Sequence, residues 1–228
     1  MTKSILSHTK CPIKWLKYTD STNLDIRRRM SELDNLSVIA AVFQTAGRGQ
    51  GCHTWVSPAG ENLTFSLLLR FGESNLRELK ATEGVRITQL ATVSMLSFLA
   101  SEGVSARIKW PNDVWVGEKK ICGMLIENIL NGEMITESIV GIGLNLNQLT
   151  FDPALPNPVS LHQLTGRFYD PAEALERLYA EICRNAVLLN SDDGRFKLEK
   201  LFSDNLFYLD KHLQDRLEGA IASFEAQK

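Results

Sequence analysis

The chain has little of what would mark a protein for export, for a membrane or for nucleic acid. No apolar core of signal-peptide length stands near its N-terminus, and no run approaches the ~20 apolar residues of a membrane-spanning helix. Its 25 basic residues are balanced by 27 acidic ones, a formal net charge of −2, so no electrostatic attraction to nucleic acid or an anionic surface is built in. The 4 cysteines, Cys11, Cys52, Cys122 and Cys183, form no C-x-x-C pair and have no histidine at zinc spacing, which reads as reduced thiols rather than a disulfide framework or a metal site. Repeats and low-complexity tracts are absent as well. The expectation is a cytoplasmic globular protein with neither nucleic acid nor membrane as partner, and its sequence names no metal ligands.

What is present suits a folded enzyme-sized unit. A chain of 228 residues gives one large domain, or one domain with a small appendage. Such a chain buries roughly 70% of its unfolded surface, so it needs no staple to hold a core. IKWLKY (13–18) alternates as a strand does, and the apolar runs 37–43 and 61–70 read as buried strands. Residues 21–33 read as a helix with a Thr22/Asp25 capping box. Ile87, Leu90, Ala91, Ser94 and Phe98 form one stripe of a helix over 83–101. Strands follow at 105–110, 113–117, 119–130 and 133–146, with hairpin signals at Gly117-Glu118 and Asn131-Gly132. Residues 147–169 read as irregular, and Asp170-Pro171 opens a helix to about 190 with Glu173 completing its cap. The fold class expected is α+β: a mixed, largely antiparallel sheet flanked by helices, with an incomplete β unit after residue 205.

Four short stretches carry residue types suited to chemistry. QTAGRGQGCHTW (44–55) puts Gly47, Gly49 and Gly51 around Arg48, whose planar charged fork suits a carboxylate or phosphate. It is neither a Walker loop, which needs Lys-Ser or Lys-Thr, nor a dinucleotide fingerprint, because Cys52 stands where a third glycine belongs. In KWPND (109–113), Pro111 makes a stiff corner that presents Lys109 and Asp113 at strand ends, and Lys120 returns on the partner strand beside Gly123. GIGLNLN (141–147) places two glycines inside a strand, a mark of close approach, with Asn145 and Asn147 on one face. Ser21-Thr22-Asn23 reads as a helix N-cap that can also hold a polar ligand group.

Taken in order, these motifs closely resemble those of the biotin–protein ligases. The likeness rests on Ser21-Thr22-Asn23, on Gln44-Thr45-x-Gly47-Arg48-Gly49 with Trp55-x-Ser57-Pro58-x-Gly60, on Lys109-Trp110-Pro111-Asn112-Asp113 with Lys119-Lys120-x-x-Gly123-x-Leu125-x-Glu127, and on Gly141-x-Gly143-x-Asn145. It runs from about Tyr18 to Asn147, more weakly through 171–190. The resemblance implies a catalytic domain like that of class II aminoacyl-tRNA synthetases over residues 1–190. Residues 191–228 would then be a connecting helix and the start of a truncated or degenerate C-terminal β-barrel cap. It implies an enzyme that condenses biotin with ATP to biotinyl-5′-AMP, with Mg²⁺, and passes the biotinyl group to a lysine of a biotin carboxyl carrier protein.

By the same resemblance Arg48, Lys120 and Asp113 are the catalytic residues, the first two facing the α-phosphate and Asp113 accepting the acceptor lysine's proton. Ser21, Thr22, Asn23 and Gln44 would bind the ureido head of biotin, and Gly47, Arg48, Gly49, Gln50, Lys120 and Gly123 would complete its pocket. Arg48, Trp55, Asn112, Asp113, Lys120 and Asn145 would hold the nucleotide, under a lid formed by loop 44–55. Two departures stand out: Gln50 replaces a second arginine common in the family, and Cys52-His53 replace a further Arg-Gly pair. Lipoate–protein ligase and a non-catalytic biotin-binding module are the rival readings. A biotin-sensing repressor would need a DNA-binding domain before the strand at residue 13. Exposed sheet edges make a homodimer the expected assembly.

Overall fold

A computed structural model describes residues 13–51, 53–73 and 75–207. In chain order its strands are β1 (Ile13–Thr19), β2 (Val38–Gln44), β3 (Leu63–Arg70), β4 (Leu79–Lys80), β5 (Arg107–Lys109), β6 (Asp113–Val116), β7 (Lys119–Asn131) and β8 (Met134–Leu144). Its helices are α1 (Thr22–Arg29), α2 (Val85–Ser101), α3 (Leu161–Thr165), α4 (Pro171–Ala186) and α5 (Asp192–Asp204). The sheet runs β1-β2-β3-β8-β7-β6-β5, with β4 beside β8. β1 and β2 are parallel, joined through α1, and the remaining pairs are antiparallel. The class is thus the mixed sheet flanked by helices that the sequence implies.

The continuous apolar runs have a simple cause: the central strands are covered on both faces. Val38, Ala40, Phe65, Leu67, Val140 and Ile142 face α2, α4 and α5 in the main core. The alternate residues Ile39, Leu68 and Ile139 meet Ile26 of α1 on the opposite face. β7 and β8 form the hairpin expected at Asn131-Gly132, where Gly132 takes φ +61.

Local expectations fail where side chains have other partners. α1 ends at Arg29, and Ser21 rather than Thr22 is its N-cap, without a side-chain cap bond. Thr22 instead donates to Gln44 and Asp25 is taken by Thr19 and Arg28, so the expected capping box does not form. At α4 the Asp170 carboxylate caps the backbone N–H groups of Ala172 and Glu173. The stretch expected to be irregular contains α3, closed by a Ser160/Gln163 capping box. Leu198 and Phe202 of α5 sit in the main core, so this helix of the 191–228 segment packs with the sheet. The β unit expected after residue 205 falls almost wholly outside the described residues.

β8 ends at Leu144, so Asn145 and Asn147 do not share a strand face as expected. Asn147 clamps the chain far away: its Nδ2 donates to the Tyr169 carbonyl at 2.8 Å, and its Oδ1 accepts from the Tyr169 N–H at 2.9 Å. Both bonds are buried. Asn147→Ala orphans two backbone groups, and the expected loss is about 1–3 kcal/mol, read from the urea unfolding midpoint.

Candidate active site

The site lies on the α1 face of the sheet, and its floor is made of missing side chains. Gly123 of β7 stands directly opposite Gly143 of β8, and Leu125 opposite Gly141. A Cβ on Gly143 would lie 2.3 Å from Trp55 Cε2, and one on Gly141 would lie 2.3 Å from Asn23 Oδ1. A Cβ on Gly123 would press on both the Lys120 ammonium (3.1 Å) and Trp55 Cζ3 (3.2 Å). These three glycines therefore let α1, the loop after β2 and Lys120 close on the strands. Around them is a cavity of about 510 Å³.

One end of the cavity is a hydrogen-bonding cluster. Gln44 Oε1 accepts from Thr22 N at 2.8 Å and Thr22 Oγ1 at 3.1 Å, leaving Gln44 Nε2 without an acceptor among the described residues. Asn23 Nδ2 donates to Glu127 Oε2 (2.8 Å) and the Leu125 carbonyl (3.3 Å). Ser66 Oγ donates to Asn23 Oδ1 at 2.5 Å and lies 2.7 Å from Thr22 Oγ1. The Asn23 amide thus has its donors consumed and one oxygen lone pair left, while Ser21 is buried and its hydroxyl has no side-chain partner among the described residues. The end offers a donor from Gln44, an acceptor from Asn23 and a hydroxyl of either sense.

Two cations reach the cavity from different elements. Lys120 Nζ is 2.7 Å from Asp113 Oδ1 across the β6–β7 hairpin. Asn112 Nδ2 donates to the Met124 carbonyl at 2.5 Å and the Asn112 carbonyl accepts from Met124 N at 3.0 Å, pinning the corner that carries Asp113 to β7. Arg48 sits on the loop after β2, which folds as an irregular hairpin: Gly49 N donates to the His53 carbonyl at 2.9 Å and Trp55 N to Gly47 at 3.0 Å. Its Nη1 is 3.2 Å from Glu127 Oε1. Lys109 lies over the Trp115 ring at 3.7 Å.

All the residues expected in the site line this cavity except Gly47. A Cβ on Gly47 would meet the Trp55 carbonyl at 2.2 Å, so this position packs the loop against itself. Trp55 lies across the glycine floor with its Nε1–H buried and without an acceptor among the described residues. Asn145 lines the wall while its Nδ2 donates to the Val159 and Lys120 carbonyls, tying the 157–159 segment to the start of β7. Two contributors carry no role in the sequence reading. Ser66 had a signal, since Thr64 and Ser66 are alternate polar positions within an apolar strand. Glu127 stood in a quoted motif without a function. Cys122 is fully buried, and burial raises its thiol pKa far above the ordinary range, which removes it as a nucleophile. Cys52 lies outside the described residues.

A lidded cavity with a polar end, an aromatic wall and two cations, set on an open mixed sheet, defines a small-molecule-binding catalytic domain. The chain belongs to the biotin/lipoate A/B protein ligase family, whose model matches residues 15–145. It is 33% identical over 173 residues to the biotin–[acetyl-CoA-carboxylase] ligase of Paracoccus denitrificans, covering 74% of this chain and 70% of that one. It is 28% identical over 143 residues to the bifunctional ligase/repressor BirA of Escherichia coli, covering 62% of this chain and 43% of the relative. Among solved structures, the biotin protein ligase of Aquifex aeolicus in complex with biotin and ATP superposes with a TM-score of 0.71 at 26% identity, covering 86% of this chain and 79% of that one.

The polar end is held in place by charge. Arg28 grips both oxygens of Asp20, at 2.8 and 2.7 Å, and with the Ser21 N–H holds that carboxyl well below the usual range. Burial pushes the Asp25 carboxyl up, but the Thr19 hydroxyl, Arg28 and Arg29 outweigh it and leave it lowered. A carboxyl lowered by folding stabilises the fold above its unfolded pKa, and that contribution fades as pH falls through the folded value. The urea midpoint is therefore expected to fall as pH drops below about 5, through the ordinary carboxylate range and on toward the lowered folded values. Asp25→Asn should start lower at neutral pH and lose less over that interval; an unchanged slope would remove Asp25 from the clamp.

Proposed function

We propose that this protein activates biotin as biotinyl-5′-AMP and transfers the biotinyl group to one lysine of a biotin carboxyl carrier protein. The observation that carries the reading is that one cavity, lined by the neutral donor–acceptor cluster of Ser21, Thr22, Asn23 and Gln44, is also lined by two cations, Arg48 and Lys120. A ureido group has one strong acceptor oxygen and two N–H donors. Gln44 Nε2 and the Ser21 hydroxyl suit the oxygen, and the free lone pair on Asn23 Oδ1 suits an N–H. The dithiolane of lipoate has no such groups and would leave these buried atoms unpaired, which is a strong basis for rejection.

In the first step a biotin carboxylate oxygen forms a bond to the α-phosphorus, the bond from that phosphorus to the β-bridging oxygen breaks, and pyrophosphate leaves. Arg48 and Lys120 supply fixed positive charge where the phosphoryl oxygens gain negative charge. In the second step the acceptor lysine amine attacks the acyl carbon, AMP departs as leaving group, and Asp113 takes the amine proton. Trp55 covers the anhydride against water, and Asn112 and Asn145 hold the segments around the nucleotide. No cluster of three or more metal-ligating residues exists among the described residues. Mg²⁺ would neutralise charge on the triphosphate, and Asp113 is the cavity-lining carboxylate that would help hold it. We place the enzyme in the cytoplasm. Residues 191–228 are read as a link into a small C-terminal β unit. The homodimer is assigned to the outer edge of β1, which has no strand partner among the described residues and exposes Tyr18.

ATP–pyrophosphate exchange tests the reaction directly. Biotin should support it and lipoate or octanoate should not; exchange with lipoate alone, or none, overturns the reading. Lys120→Met should lower exchange by about 10²–10³, the cost of one lost contact to developing charge. The neutral Gln50 leaves the lid short of one positive charge relative to the family pattern. Gln50→Arg should reduce release of free biotinyl-adenylate, assayed without acceptor; equal release would give this charge no part in retention.

A further inference from the structure

Glu127 has no part in the steps proposed above, yet the polar cluster and the loop after β2 both converge on it. It is absent from the cavity lining and its side chain is largely buried on β7. Oε2 accepts from Asn23 Nδ2 at 2.8 Å, and Oε1 is 3.2 Å from Arg48 Nη1 and 3.7 Å from Arg27 Nη2. One carboxylate thus bonds the N-terminal turn of α1, its second turn and the glycine-rich lid.

The consequence follows from what a carboxylate is able to do. It accepts and never donates, so it forces the Asn23 amide to point Nδ2 inward and Oδ1 toward Ser66 and the cavity. Ser66 agrees with that orientation by donating to Oδ1. An Asn23 turned the other way would set its oxygen against the carboxylate and a donor against the ligand's N–H. The same carboxylate holds Arg48 over the cavity without taking up the whole guanidinium, since the bond is through Nη1 alone.

We infer that Glu127 is the positioning residue that fixes the hydrogen-bonding sense of Asn23 toward the ligand head and registers Arg48 on the lid. This rests on the biotin-activating reading of the same cavity. Its reach is through Asn23 and Arg48 only, because it touches no substrate.

The test is Glu127→Gln in the full chain, by steady-state ATP–pyrophosphate exchange with biotin and ATP varied separately, alongside a thermal melt. A glutamine is isosteric but neutral, and it can turn its own N–H₂ toward Asn23, so only the longer bond to the Leu125 carbonyl, at 3.3 Å, is left to hold the amide's sense. The biotin KM should rise about tenfold, the scale of one charge-assisted hydrogen bond, with the ATP KM changed less than about threefold. Glu127→Gln and Arg48→Met together should cost less than the product of their separate effects, because they break one shared ion pair. A biotin KM within twofold of wild type, a double variant equal to the product, or a loss shared equally by both substrates and tracking a lowered melting temperature overturns the inference. Should Glu127→Gln not fold, Glu127→Asp keeps the charge and shortens the reach: a raised biotin KM supports the role and an unchanged one overturns it. Exchange absent in the wild type would instead fail the parent reading, so the two failures are distinct.

Discussion

The floor of this cavity depends on glycines placed in register across neighbouring strands of an eight-stranded sheet. Here the register sets Gly123 against Gly143 and Leu125 against Gly141, while Ser66 of β3 pairs with Gly141 from the other side. The gap this opens is what Trp55 and Asn23 occupy at distances no Cβ would permit, with the Lys120 ammonium packed tightly beside them. A glycine within a strand weakens it, by roughly 0.5–1 kcal/mol relative to alanine. That deficit is offset because the same strands carry Val140, Ile142 and Leu144 on the opposite face, each buried in the main core. β8 is therefore two strands in one: a packing surface on one face and a bare platform on the other.

This duality explains which features were legible beforehand. The alternation of glycines with Ile142 and Leu144 announces a one-sided strand, and the runs 37–43 and 61–70 announce strands covered twice. The turn chemistry at Asn131-Gly132 fixes a hairpin locally, so β7 and β8 could be placed together. Pairing of β3 with β8, separated by more than sixty residues, has no local signal, and neither does the parallel β1–β2 pair. The site was legible as a set of motifs because three of them sit at a turn or a helix start, where residue choice is narrow, and the Gly141-x-Gly143 motif breaks an apolar strand with glycines. Ser66 and Glu127 were not, because a single polar residue in a strand gains meaning only from the partner that register gives it.

The α1 N-terminus shows the same dependence on long-range partners. By local rules Thr22 and Asp25 should cap their own helix. The hydroxyl of Thr22 is instead spent on Gln44 of β2, and the Asp25 carboxylate on Thr19 at the end of β1 and on Arg28. The helix gives up its side-chain cap, worth about 1 kcal/mol, to tie its first turn to two strand ends. The gain is position: Ser21, Thr22 and Asn23 are set relative to β2, β3 and β7 together, not to their helix alone.

Charge at the site follows a related logic. Neither cation is bare: Arg48 rests on Glu127 and Lys120 on Asp113, at 3.2 and 2.7 Å. On the proposed reading, an entering polyanion would exchange one anionic partner for another, meeting charges that are already aimed and partly desolvated. Little reorganisation would then remain as negative charge builds on phosphorus-bound oxygen, which is where preorganised electrostatics acts. The arrangement also sets a limit. Each carboxylate competes with the substrate for its cation, so the two pairs must be weak enough to yield; the single-nitrogen contact of Arg48, half exposed on a glycine-rich lid, meets that condition better than a bidentate clamp like the one Arg28 makes on Asp20.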